Sequence, residues 1–203
     1  LIAAGGVIVA WLAGVRAKFF VISGLALIAL LPVAISFLKP YQKSRILTFL
    51  NPERDPLGAG YQIIQSKIAI GSGGLFGKGF LQGSQSYLDY LPEKHTDFIF
   101  TLFSEEFGFF GSLFILFLYA IIVWRIIKTG NVTRSNFGKL FCYGFGTAFF
   151  VYVVVNMMMV LGLLPIVGSP LPIMSYGGSS MMAIMLGLGI VMSCKVYKDT
   201  PVN

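Results

Sequence analysis

Between Leu140 and Cys194 the chain runs for 55 residues without one charged side chain. Such a stretch is too long for one membrane helix and about right for two, at roughly 20 residues per crossing. The natural divide is LLPIVGSPLPIMSYGG (residues 163–178), where Pro165, Pro170 and Pro172 stand with Gly168, Gly177 and Gly178. Irregular backbone at that point calls for a loop or a re-entrant segment. The rest of the sequence agrees: 56% of residues are hydrophobic, 11% are charged, and mean hydropathy is +0.82. These values exclude an ordinary soluble domain.

Other spans follow from the same reasoning. Leu1 to Val15 is apolar but ends at Arg16, short of a full crossing. Because the chain also starts with Leu1 and not Met, it reads as lacking an N-terminal part. Phe19 to Leu38 is an uncharged run between Lys18 and Lys39, with Pro32 as a possible kink. Another span is expected from about Phe107 to Trp124. The expected fold is therefore an all-α polytopic membrane protein with about five spans, the first truncated.

Charge sets the expected orientation. From Lys39 to Glu106 acidic and basic residues balance. The whole excess of +7 comes from Arg16, Lys18, Arg125, Lys128, Arg134, Lys139, Lys195 and Lys198, opposed only by Asp199. These basic clusters fall on one side by alternation of the spans, as expected for cytoplasmic loops, and give no ground for nucleic-acid binding. The connector 125–139 is then cytoplasmic. The long segment 39–98 and the Pro/Gly segment 163–178 lie outside.

That long segment carries structure. NPERDPLGAG reads as turns. YQIIQSKIAI (Tyr61 to Ile70) places Ile63, Ile64 and Ile68 on one face and Gln62, Gln65 and Ser66 on another, as in a short amphipathic helix at the membrane surface. GSGGLFGKGF sets five glycines around Lys78. Glycine lets backbone N–H groups approach an anion such as diphosphate, though a tightly packed loop has the same composition and the P-loop pattern is not matched. The segment ends in LPEKHTDFIF, with Glu93, Lys94, His95, Thr96 and Asp97 in succession where the chain enters lipid.

Ionisable groups at that position need a reason. One reading is helix capping, with Thr96 as N-cap and Asp97 in the first turn; the other is a catalytic or binding role, and the two are compatible. Along the following helix Asp97, Thr101, Ser104, Gly108 and Gly111 share a narrow stripe with Glu105 at its edge. Gly108 and Gly111 suit close helix packing. Asp97 and Glu105 point to a wet cavity at the outer leaflet. At the Pro/Gly segment, Gly177 and Gly178 beside Ser175, Tyr176, Ser179 and Ser180 suggest a tight turn presenting polar groups to it. Cys142 and Cys194 read as small buried hydrophobes and not a disulfide. One His and two separated Cys do not make a zinc site, so a metal here would be a hard cation held by carboxylates and phosphate.

NPERDPLGAGYQIIQSKIAIGSGGLFGKGF, LPEKHTDFIFTLFSEEFG and GSPLPIMSYGGSS resemble the hallmark segments of the SEDS (shape, elongation, division and sporulation) family, closest to its rod-shape members. The resemblance covers the chain from about Leu50 to its end. Lys94 departs from it, standing where many members have Arg.

The resemblance implies about ten spans in a whole protein, and a peptidoglycan glycosyltransferase that polymerises lipid II outside the cytoplasmic membrane. The partner implied is a class B penicillin-binding protein, a transpeptidase. The family's essential acid maps onto Asp97, the expected base for an inverting displacement of undecaprenyl diphosphate. Arg54, Lys78 and Lys94 become candidates for the diphosphate. Gln62, Gln65, Glu93, His95, Thr96, Glu105, Ser175, Tyr176 and Ser179 complete the substrate-binding set. The resemblance implies no definite cofactor, and a divalent cation (Mg or Mn) is compatible with the chemistry. Two non-catalytic alternatives are a lipid II flippase or transporter, and a membrane scaffold for a transpeptidase.

The orientation is testable. A reporter fused after Gln85 should read as extracytoplasmic and one after Asn131 as cytoplasmic. The opposite pattern would overturn both the topology and the outer-face site.

Overall fold

The computed structural model describes residues 6–7, 9–11, 13–36, 39, 42, 47–48, 59–83 and 96–198. Among them five helices follow one another without a strand: α1 (Ala17–Ser36), α2 (Ala59–Ser72), α3 (Ile99–Val132), α4 (Asn136–Val160) and α5 (Gly178–Val196). Helices α3, α4 and α5 are each long and apolar enough to cross a membrane. The apolar part of α1, Ala17–Leu30, is shorter. Its Phe19, Ile22, Leu25 and Ile28 are exposed, as expected of side chains covered by lipid or by further protein.

Helix α3 differs most from the expected span. It begins at Ile99 and runs 34 residues, or roughly 50 Å at 1.5 Å per residue. That exceeds the ~30 Å of hydrocarbon. Arg125 and Lys128 are therefore helical, and the expected connector 125–139 shrinks to residues 133–135 between α3 and α4. Ser135 caps α4 by accepting from the Gly138 N–H.

The long helix is broken near its start. Gly108 has φ 68° and ψ −161°, which interrupts the ladder that should join Phe109 and Phe110 to Glu105 and Glu106. The loop after α2 supplies the missing partners. Lys78 N and Gly79 N donate to the carbonyls of Glu105 (3.1 Å) and Glu106 (3.0 Å). Phe109 N and Phe110 N donate to Gly74 O (2.9 Å) and Leu75 O (3.2 Å). Four loop bonds thus replace the helical pair, so the break leaves none of these groups unsatisfied.

The approach is close enough to require glycine. A Cβ on Gly77 (φ +80°) would lie 2.0 Å from Glu106 O, and one on Gly108 would lie 2.3 Å from Gly77 N. Phe76 against Phe110 (5.5 Å between centroids) and Phe80 against Phe107 (6.4 Å) flank the crossing. The glycine-rich segment is thus the tightly packed loop of the two sequence readings. The N–H groups of Gly77, Lys78 and Gly79 are committed to Gly73, Glu105 and Glu106 carbonyls, which leaves them unavailable as a diphosphate cradle.

Helix α2 forms where expected. Ile63, Ser66 and Ala69 are buried, whereas Ile64 and Ile68 are exposed. Ser66 explains which side turns in. Its hydroxyl donates to Val160 O (2.7 Å) and lies 2.7 Å from Thr101 Oγ1, which then must donate to it. One small polar residue thereby ties α2 to both α3 and α4. The core between α3 and α4 holds Phe98, Phe100, Tyr119, Phe149, Val153, Met157, Met159, Val160 and Leu171. Tyr119 donates to Pro172 O at 2.6 Å, anchoring the Pro/Gly segment to α3.

In that segment the tight turns fall elsewhere than at the paired glycines. Gly177 is extended (φ −178°) and Gly178 opens α5; the positive φ values belong to Gly168 and Ile173, and to Gly162 just ahead of the segment. Neither member of the Gly177–Gly178 pair needs glycine for its backbone. Cys142 and Cys194 are free thiols, the first buried.

The interlock predicts a sharp contrast. Gly77→Ala should cost about 3 kcal/mol or more, from a forced backbone shift at positive φ. Gly71→Ala, whose Cβ meets nothing within 4 Å, should stay within about 0.5 kcal/mol. Thermal unfolding of the full-length protein in detergent would show whether the two differ.

Candidate active site

Asp97 lies in a turn, Thr96–Phe98, immediately ahead of α3. The N-cap is Phe98, which provides no side-chain cap, and the first turn holds no acid. The expected capping by Thr96 is therefore not the arrangement present. Phe98 serves by burial: its ring is fully enclosed in the core. Asp97 is half-buried, near the end of a helix whose dipole favours an anion.

The turn is fixed from two sides. Ser175, on the Pro/Gly segment, donates to Thr96 O at 2.6 Å and accepts from Leu171 N at 2.6 Å. Asn156, within α4, donates through Nδ2 to Asp97 O (2.8 Å) and to Ser169 O (2.6 Å). The Pro/Gly segment also backs the carboxylate: a Cβ on Gly168 (φ +66°) would lie 3.5 Å from Asp97 Oδ2. Residues from α4 and from the Pro/Gly segment thus converge on the one turn that carries the carboxylate.

The remaining candidates separate into groups. Thr96, Asp97 and Ser175 are brought together. Ser175 is buried and its hydroxyl is committed to backbone, so it belongs to the framework and not to a cavity surface. Tyr176 and Ser179 are exposed, and Gln62 and Gln65 are half-buried on α2. Arg54, Glu93, Lys94 and His95 lie outside the described residues.

Lys78 and Glu105 form a second centre. Lys78 Nζ sits 2.6 Å from Glu105 Oε1, with Ser72 Oγ at 3.5 Å from the same oxygen. Glu105 is fully buried, against the expectation that it faces a wet cavity. It is eight residues beyond Asp97, or about 12 Å of helix rise. The polar stripe of α3 faces protein: Thr101, Ser104 and Glu105 are all buried. A paired charge meets the cost of burying that carboxylate. Among the described residues no three His, Cys, Asp or Glu side chains converge.

Asn156 is the site residue that sequence reasoning missed. Its signal was an amide in the middle of the apolar run AFFVYVVVNMMMV, an expensive residue type inside a membrane span.

With this geometry in view, comparisons with known proteins place the chain. A family profile described as "Cell cycle protein", covering FtsW, RodA and SpoVE, matches residues 1–200. The chain belongs to this family. It is 47% identical over 199 residues to the Escherichia coli K12 "Peptidoglycan glycosyltransferase MrdB", covering 98% of this chain and 54% of that protein. It is 46% identical over 161 residues to the Treponema pallidum "Peptidoglycan glycosyltransferase RodA", covering 79% of this chain and 37% of that protein. A solved peptidoglycan synthase complex, described as coordinating polymerization and crosslinking, contains a chain similar at TM-score 0.77 and 36% identity. That match covers 97% of this chain and 54% of the other. The chain thus spans about half the length of relatives it matches.

The buried ion pair generates a stability prediction. Lys78→Met removes the cation that lies 2.6 Å from buried Glu105 and should cost about 3–5 kcal/mol. Replacing both, Lys78→Met with Glu105→Met, should recover much of that loss. Denaturant unfolding of the full-length variants in micelles would test this; a double variant no more stable than the single would contradict it.

Proposed function

We propose that this chain is part of a peptidoglycan glycosyltransferase that polymerises lipid II at the outer face of the membrane, with Asp97 as the general base. The observation that carries the reading is a half-buried carboxylate held at the head of a membrane helix by bonds to its own turn. The family membership and the names of the relatives give the chemistry that such a carboxylate would serve.

The reaction joins an acceptor hydroxyl to the anomeric carbon of a lipid-linked sugar. Asp97 accepts the hydroxyl proton as the oxygen attacks. The bond from the anomeric carbon to the diphosphate oxygen breaks, and undecaprenyl diphosphate leaves with the electron pair. Donor α linkage and product β linkage require inversion, so one in-line displacement suffices without a covalent enzyme intermediate. Developing charge on the diphosphate calls for cations nearby. Arg54 and Lys94 suit this role by sequence. Lys78 is a weaker choice, because its charge is already matched by Glu105.

The lipid tail explains why such a base belongs at a membrane boundary: the donor presents its sugar at the headgroup level while its tail stays in hydrocarbon. The partner in this reading is a class B penicillin-binding protein, which would cross-link the strands made here.

The test uses the full-length protein with its partner. Asp97→Asn keeps the size of the side chain and removes the base. Polymerisation of lipid II should fall at least about a hundredfold, within the range for general-base catalysis, while folding and partner binding persist. Glu105→Gln should lower the rate less, since Glu105 is paired away from the turn. Normal polymerisation by well-folded Asp97→Asn protein would remove the assignment.

A further inference from the structure

We propose that Asn156 is a positioning residue for Asp97, acting through the backbone on both sides of the carboxylate; this rests on Asp97 being the base. The starting point is where the helix ladder begins. The earliest carbonyl bonded by α3 itself is Phe98 O, which accepts from Thr101 N (3.0 Å). Asp97 lies one residue ahead of it, so the regular hydrogen bonding of α3 does not hold its carbonyl. Asn156 Nδ2 does, at 2.8 Å.

The same nitrogen donates to Ser169 O at 2.6 Å. Ser169 follows Gly168, whose backbone faces the carboxylate oxygen. One amide group thus fixes the main chain that carries the base and the main chain that backs it. The orientation of the amide is determined by its partners. Two carbonyl oxygens demand the N–H₂ end, because Oδ1 in that place would meet them lone pair to lone pair.

The chemistry of the position supports a role beyond packing. Asn156 is fully buried in a membrane-spanning helix, and Ser169 is 2% exposed. Among the described residues Asn156 Oδ1 and Ser169 Oγ have no hydrogen-bond partner, a cost that a leucine of similar volume would not incur. What leucine cannot supply is the pair of donors. Proton transfer is sensitive to placement, and a shift of about 1 Å can cost on the order of a hundredfold in rate. A residue that sets this placement should act on turnover and not on substrate affinity.

The experiment is made on the full-length protein with its transpeptidase partner, using lipid II. Asn156→Leu should lower kcat at least about tenfold with KM changed less than about threefold; the melting temperature should fall because two carbonyls lose their donor, while the fold and partner binding are kept. In an Asp97→Asn background, measured by single turnover with excess enzyme, Asn156→Leu should add no further loss, because its effect passes through the missing base. Wild-type kcat in folded Asn156→Leu protein, a loss confined to KM, or a fully additive loss in the double variant would each overturn the proposal. Should Asn156→Leu not accumulate, Asn156→Ala is read the same way; failure of both to fold assigns Asn156 to the fold alone and also overturns it. Asp97→Asn by itself keeps the two ideas apart. If it is inactive while Asn156→Leu is fully active, only the positioning role fails; if it is active, the base assignment fails.

Discussion

The rest of the described structure depends on a break in one helix. A membrane helix interrupted at Gly108 would expose carbonyls and N–H groups where water is scarce, at a cost of several kcal/mol per unsatisfied group. The loop after α2 answers those groups one for one, by backbone to backbone contact. This is possible only because Gly77 and Gly108 lack side chains at the crossing. The same crossing places Lys78 beside Glu105, so a carboxylate otherwise unaffordable in the interior becomes part of the fold. Helix α2 is held in turn by this loop at one end and by Ser66 in its middle.

Around that frame the site is assembled by hydrogen bonds to carbonyls. Thr96 O, Asp97 O, Ser169 O and Pro172 O each accept from a side chain on another element, namely Ser175, Asn156 and Tyr119. The irregular Pro/Gly segment cannot satisfy these groups with a ladder of its own. Buried side-chain donors do so instead, and they also define where the segment lies against the head of α3. Shape and polar satisfaction are solved together here.

Hydropathy made the spans legible, because a run such as Leu140 to Cys194 has few physical alternatives. Motif likeness singled out Asp97 as the candidate base, and the structure seats that residue in the turn ahead of α3. Other features were hidden for identifiable reasons. The inward face of α2 was not fixed by the pattern of isoleucines, which in a membrane setting can face lipid, whereas Ser66 needs partners and turns in. Glu105 pointed to water because a lone acid in a stripe is costly; its cation came from Lys78, 27 residues earlier, and only the fold brings the two together. The turn glycines were misplaced for a similar reason. A glycine pair such as Gly177–Gly178 draws the eye, but positive φ is set by tertiary context and fell at Gly162 and Gly168.

The crossing at Gly108 also has a mechanical meaning. Leu75, Phe76, Phe80 and Leu81 stand exposed on the loop, while the bases of that loop are bonded to the first turns of α3 on both sides of its break. Surface and helix therefore move as one body. A neighbour that grips those exposed side chains, whether lipid or protein, holds a handle whose other end is the short helical segment leading back to Asp97. The break in the helix is pinned by the loop that crosses it.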